Sequence, residues 1–153
     1  MSNYMGLESI NSSDYVSPTP INNNFAKLDA LGLDYVVESG KSGEWWYRKW
    51  KSGRAECGVD WKDFGNQKLH MNPNLGNAYE TSDLSFGAYP FSFAKRPFAH
   101  VQWEGDANVS WRGAYAVTRH TASTTQSPSF FIVDWISQDM HLYAGIYVCG
   151  TYK

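Results

Sequence analysis

Asp60 and Asp63, and Glu104 and Asp106, are close carboxylate pairs. Two carboxylates flanking a cleft are what glycoside hydrolysis needs. Each pair, however, falls on a strand end or a turn, where a solvated carboxylate is the ordinary outcome. Cys57 is a conceivable nucleophile with His70, His100, His120 or His141 as its base, since such groups are assembled in space rather than in sequence. Its surroundings, Ala55-Glu56-Cys57-Gly58, carry no nucleophile elbow. The same four histidines lack metal-ligand spacing; a three-fold axis, with one His from each chain, is the arrangement that would close a site. There is no phosphate loop and no dinucleotide fingerprint. The expectation is no enzyme, no metal and no cofactor, with a small carbohydrate hydrolase as the distant alternative.

Sugar binding fits the residue types better. Aromatic rings stack on the apolar C–H face of a pyranose, while Asp, Asn, Arg and His fix its hydroxyls. The run Trp45, Trp46, Tyr47, Trp50 puts aromatics on both faces of one strand, so one face must leave the intrachain core. That face meets either a neighbouring subunit or a sugar. Arg48, on the Trp46/Trp50 side, stacks on a ring or pairs with Glu56. Binding residues concentrate on loops held by a rigid scaffold. The ligand candidates are therefore His70, Asn72, Asn74 and Tyr79 in a long polar loop, with Asp106 and Asn108 in a turn.

Composition supports a binding module. Seven Trp, ten Tyr and eight Phe make the chain 16% aromatic, which favours pleated, half-buried surfaces. The net charge of −2 leaves no basic stripe for a nucleic acid. No apolar run is long enough to span a membrane, and residues 1–15 do not read as a signal peptide. Cys57 and Cys149 make no disulfide framework; they read as two small thiols of a reducing cytosol, with a single bridge as the alternative.

The positioning elements follow from periodicity. Residues 1–20 end in Val-Ser-Pro-Thr-Pro and read as an extended linker. A helix is predicted over 22–31, with Ile21, Phe25, Leu28 and Leu31 on one face. It is too short to stand alone, so it packs either into a three-fold bundle or across the end of its own domain. From residue 34 the chain reads as β. A hairpin turns at Lys51-Ser52-Gly53; residues 64–85 read as a long loop. Strands follow near 86–93, 98–104, 109–119, 129–136 and 141–152. Parity places Trp103, Trp111 and Trp135 on packed faces, with Val109, Trp111, Tyr115 and Val117 sharing one side. It also opposes Leu142, Ala144, Ile146 and Val148 to Tyr143, Tyr147 and Cys149. In 129–136 both faces are apolar, which predicts cover from outside the sheet by subunit association. Regular short strands with turn signals predict an all-β sandwich head over 34–153, preceded by a linker and helical stalk segment over 1–33.

Three blocks carry a resemblance: residues 34–59 (DYVVESGKSGEWWYRKWKSGRAECGV), 89–101 (YPFSFAKRPFAHV) and 142–153 (LYAGIYVCGTYK). In this order they resemble the C-terminal domain of tail and tail-fibre receptor-binding proteins of bacteriophages infecting Gram-positive and gut bacteria. Gly58 and Tyr152 stand where relatives commonly carry Trp. The resemblance implies a homotrimeric virion fibre head made in the host cytoplasm. It would contact a bacterial wall or capsular polysaccharide and join other tail proteins through its N-terminus. It implies neither nucleic-acid binding nor membrane insertion, and the motifs identify no ligand-binding residues. The rival is a purely structural trimerisation or capping module.

Overall fold

The computed structural model describes residues 19–76, 78–105 and 114–153. Most of the expected N-terminal linker, and Asp106, Asn108, Val109 and Trp111, lie outside the described residues. In chain order the elements are α1 (Thr19–Ala30), β1 (Val36–Ser42), β2 (Trp45–Trp50), β3 (Arg54–Lys68), β4 (His70–Met71), a 3-10 turn (Pro73–Leu75), β5 (Tyr79–Glu80), β6 (Leu84–Ser85), β7 (Phe98–Gly105), β8 (Tyr115–Thr118), β9 (Ser129–Asp134) and β10 (Asp139–Thr151).

The strands form two antiparallel sheets. The first has the order β1-β2-β3-β10-β7. In the second, β9 is central: β5 and β6 pair along one of its edges and β8 along the other, with β4 outside β5. The main core lies between the sheets. Trp45, Ala55, Cys57 and Val59 face it from β2 and β3, and Leu142, Ala144, Ile146 and Val148 from β10. Phe130 and Ile132 of β9 meet them from the other side. Phe64, Phe86 and Phe130 close a ring cluster with centroids 5.4–5.6 Å apart. Each such side chain contributes on the order of 1.5–3 kcal/mol by leaving water.

Several expectations hold. The hairpin turns at Gly53, whose φ of 90° suits a residue without Cβ. In β7, Ala99, Val101 and Trp103 pack on the core while His100, Gln102 and Glu104 are exposed. Cys57 faces the core opposite Val148, whereas Cys149 lies on the other face of the sheet, so the two thiols are free.

Others are corrected. Residues 64–85 are not one long loop: β3 continues to Lys68 because the start of β10 supplies its hydrogen bonds, Lys68 opposite Asp139. Residues 86–93 are not a strand. Pro90 interrupts the ladder, and backbone bonds run to a neighbouring loop instead, Tyr89 N–H to the Thr125 carbonyl and Phe93 N–H to that of Thr124. Phe86, Tyr89 and Phe93 are nevertheless buried in the core. In β8 it is Ala116 that meets the main core, while Tyr115 is exposed and Val117 lies elsewhere. The second apolar face of β9 needs no other subunit. Phe131 and Val133 are buried with Ala78 and Val117, and the Arg119 guanidinium lies 4.4 Å from the centroid of Phe131. Trp135, past the end of β9, is 57% exposed rather than packed.

The helix lies near the predicted place. Phe25 meets the Tyr35 ring at 5.4 Å, and Asp29 accepts from the Tyr35 hydroxyl at 3.0 Å. The predicted stripe stays largely uncovered: Ile21, Phe25 and Leu31 are all exposed, with Leu28 half-buried.

Candidate functional site

Strand parity sends one set of side chains to the core and the alternate set to the outer face of the first sheet. Register then aligns that outer set in rows across the strands. One row runs Trp46, Gly58, Tyr147, His100. The next, toward the hairpin end of β2 and the start of β7, runs Arg48, Glu56, Cys149, Phe98. On the far side of the first row, Gly145 pairs with Gln102.

Two glycines keep the middle of this face low. A Cβ at residue 58 would stand 2.7 Å from Trp46 Cζ2 and 2.7 Å from the Ile146 carbonyl oxygen. The Trp46 indole therefore lies over Gly58 and uses the space a side chain would fill. A Cβ at residue 145 would stand 2.2 Å from the Asp60 carbonyl oxygen. There the register of β3 slips by one residue, Ala144 pairing with Lys62 but Ile146 with Val59. Such a bulge breaks the alternation, and Asp60 and Trp61, neighbours in sequence, both line the outer groove.

The result is a groove of about 310 Å³ walled by Trp46, Trp61 and Tyr147, with Asp60, His100 and Gln102 as its polar groups and Gly145 and Ile146 in its floor. Trp46 Nε1–H donates to Asp60 Oδ1 at 2.9 Å, fixing both side chains. The Tyr147 hydroxyl donates to Glu56 Oε2 at 2.5 Å, and Arg48 Nη1 lies 3.6 Å from Glu56 Oε1. That hydrogen bond, with partial burial, pushes the Tyr147 phenol up to about 12. Trp46 and Tyr147 sit 6.1 Å apart at 40°, two walls of a shallow V. Trp61, half-exposed, has its ring open to a ligand.

A second groove, of about 560 Å³, lies beyond the β7 edge between residues 96–99 and 118–128. Arg96, Phe98, Arg119 and His120 line it.

The loop candidates are placed elsewhere. His70 is exposed on β4 opposite Glu80, and Tyr79 is half-buried on β5 against the core. Asn72 accepts from the Asn74 N–H at 2.9 Å and caps the 3-10 turn. These four share one edge of the second sheet, and none lines either groove. Asp106 and Asn108 lie outside the described residues. Of the carboxylates weighed for hydrolysis, Asp60 holds Trp46. Asp63 accepts from the Gly65 N–H at 2.7 Å and meets His141 Nε2 at 2.8 Å. The Gly65 bond, then His141, lowers the Asp63 carboxyl below its usual range. Among the described residues no three His, Cys, Asp or Glu side chains are grouped to hold a metal.

Sequence reasoning named its ligand candidates on loops, and weighed the outer face of the Trp45–Trp50 strand for a sugar or a neighbouring subunit without locating this groove. The parity of Trp46, Tyr147 and His100 was available as a signal. The bulge that brings Trp61 beside Asp60 was not, because it arises from pairing between strands far apart in sequence.

No family model and no curated protein matches the chain. Among solved structures, an N-truncated R1-type pyocin tail fibre is similar with a TM-score of 0.49 at 11% identity, over 82% of this chain and 94% of that one. A C-terminal fragment of the R1 pyocin fibre of P. aeruginosa gives a TM-score of 0.49 at 12% identity, over 95% of this chain and 33% of that one. This chain thus spans about a third of the longer fragment.

Proposed function

We propose that this chain is the head domain of a virion tail fibre and that it binds a bacterial surface polysaccharide in the groove on its first sheet. The observation that carries the reading is the groove itself: Trp46, Trp61 and Tyr147 arranged around Asp60, His100 and Gln102. Rings of this kind take the apolar face of a pyranose, and a carboxylate, an imidazole and an amide select its hydroxyls. The resemblance in sequence supports the fibre-head part of the reading. Its first and third blocks, and the end of its second, supply β1, β2 and parts of β3, β7 and β10, so they meet in this one sheet.

The groove is read as a binding site and not a catalytic one. Asp60 is tied to Trp46, and Asp63 to Gly65 and His141, so neither stands as half of an acid–base pair across a cleft. Incubation with wall polysaccharides should release no new reducing ends. The assembly is proposed to be a trimer whose N-terminal segment joins other tail proteins. The uncovered apolar residues of α1 and of the chain leading into β1 support association. The same residues favour the second reading, a capping module without receptor binding.

A glycan array with the purified chain, run beside a solution mass measurement, separates the two. Binding to one or more wall or capsular glycans is the expected outcome. A trimer that binds none of them would leave the capping module as the function.

A further inference from the structure

The second groove differs from the first in charge. Arg96 and His120 face each other there, Arg96 Nη1 donating to His120 Nε2. Arg96 has no carboxylate partner among the described residues, and neither does the adjacent, exposed Lys95. Arg119, on the same groove, is paired with Asp83 at 2.7 Å. A guanidinium set against an imidazole, with no carboxylate in salt-bridge reach of it among the described residues, leaves donors without an anionic acceptor. Proteins place Arg in this way where a carboxylate or phosphate is to be gripped by its fork of N–H groups.

Two further observations connect this groove to the first. Phe98 is 67% exposed, the most exposed aromatic ring in the described core strands, and it stands at the mouth of the basic groove. It also lies on the outer face of β7, in the same alternation as His100 of the first groove. Residues two apart on a strand face are roughly 7 Å apart, on the scale of one sugar unit. A chain of sugars that leaves the first groove past His100 therefore meets the Phe98 ring next, and then Arg96 and His120.

We propose that the basic groove is a second subsite, which receives an acidic group carried by the same polymer. The inference rests on the reading that the first groove binds a glycan. It adds that the polymer is anionic, bearing a carboxylate or a phosphate within a few units of the sugar held by Trp46 and Trp61. The shared chemistry is an oxyanion accepting from the Arg96 N–H groups not spent on His120, while His120 holds that guanidinium in place and Phe98 stacks on the ring that carries or precedes the anion.

The test uses the whole chain and three probes of similar length: a neutral oligosaccharide, an oligogalacturonate and a glycerol-phosphate oligomer. Each is titrated at low and at physiological salt. At least one anionic probe should bind more tightly than the neutral one, and should weaken as salt rises. Arg96→Gln and His120→Gln should each reduce that binding fivefold or more. Lys68→Gln, which removes the same charge from the far end of β3, should change it less than twofold. Melting temperatures of all three variants should match the wild type, since these side chains are exposed. The two anionic arms then tell carboxylate from phosphate. Equal losses in Arg96→Gln and Lys68→Gln would mean unspecific attraction and overturn the proposal. Neutral binding that is lost in Trp61→Ala but indifferent to Arg96→Gln, with no preference for either anion, would overturn it while leaving the first groove intact. No binding of any probe would count against both.

Discussion

Gly58 and Trp46 show how a single position shapes the outer face. Residue 58 carries no side chain, and the Trp46 indole lies in the space one would fill, with its N–H on Asp60. An aromatic surface is thus kept at this point by a neighbouring strand. The two cysteines are divided by the same sheet. Burial, and then the charge of Glu56, pushes the Cys57 thiol up to about 12, while Cys149 is half-buried on the outer face. Since the thiolate is the reactive form, iodoacetamide at pH 8 should add one label to the native chain, at Cys149, and two in urea. Two labels added at equal rates to the native chain would contradict this placement. Failure to label either cysteine in urea without reductant would indicate a bridge.

At the scale of elements, the feature that makes the groove is the bulge of β3 against Gly145. Gly145→Ala would place a methyl against the Asp60 carbonyl, which cannot give way without moving the strand. A loss of about 1–3 kcal/mol in urea unfolding is expected, together with weaker glycan binding. A variant as stable as wild type would mean that the bulge is not fixed by that contact. What the sequence conveyed about the elements follows the same division. Strict alternation in β7 and β10 was readable because one face of each is packed and the other is wet. The course of residues 64–68 was not, because their Asn- and Gly-rich composition says loop while a partner 70 or more residues away makes them strand. The double apolar pattern of β9 was read as a sign of a second subunit. Its cover is intrachain and comes from Ala78, Val117 and Arg119, residues whose types give no hint of it. For the site, the aromatic strand Trp45–Trp50 was recognised as two-sided, but the groove's position required register, which no single segment contains.

For the whole molecule, the question is what covers the N-terminal apolar residues. Ile21, Phe25 and Leu31 on or beside α1, Leu33 after it, and Val36 and Val37 at the start of β1 are each at least 40% exposed. Exposed apolar surface of this extent marks an interface, and a short helix gains stability by packing on copies of itself. Light scattering at micromolar concentration should give a trimer. Phe25→Asp with Leu31→Asp should give a monomer that keeps its β circular dichroism, since neither residue belongs to the core. A wild-type monomer would remove the trimer from the proposed function without touching the groove. The groove itself is tested most directly by titrating the best array glycan into wild type, Trp61→Ala and Asp60→Asn, with thermal unfolding on the same samples. We expect each substitution to raise Kd at least about tenfold, which is about 1.4 kcal/mol, while the melting temperature of Trp61→Ala moves by less than about 2 °C. Wild-type affinity in both variants, with binding lost instead in His70→Ala, Asn72→Ala, Tyr79→Ala or Asp106→Ala, would place the receptor site on the loops and contradict the assignment to the sheet.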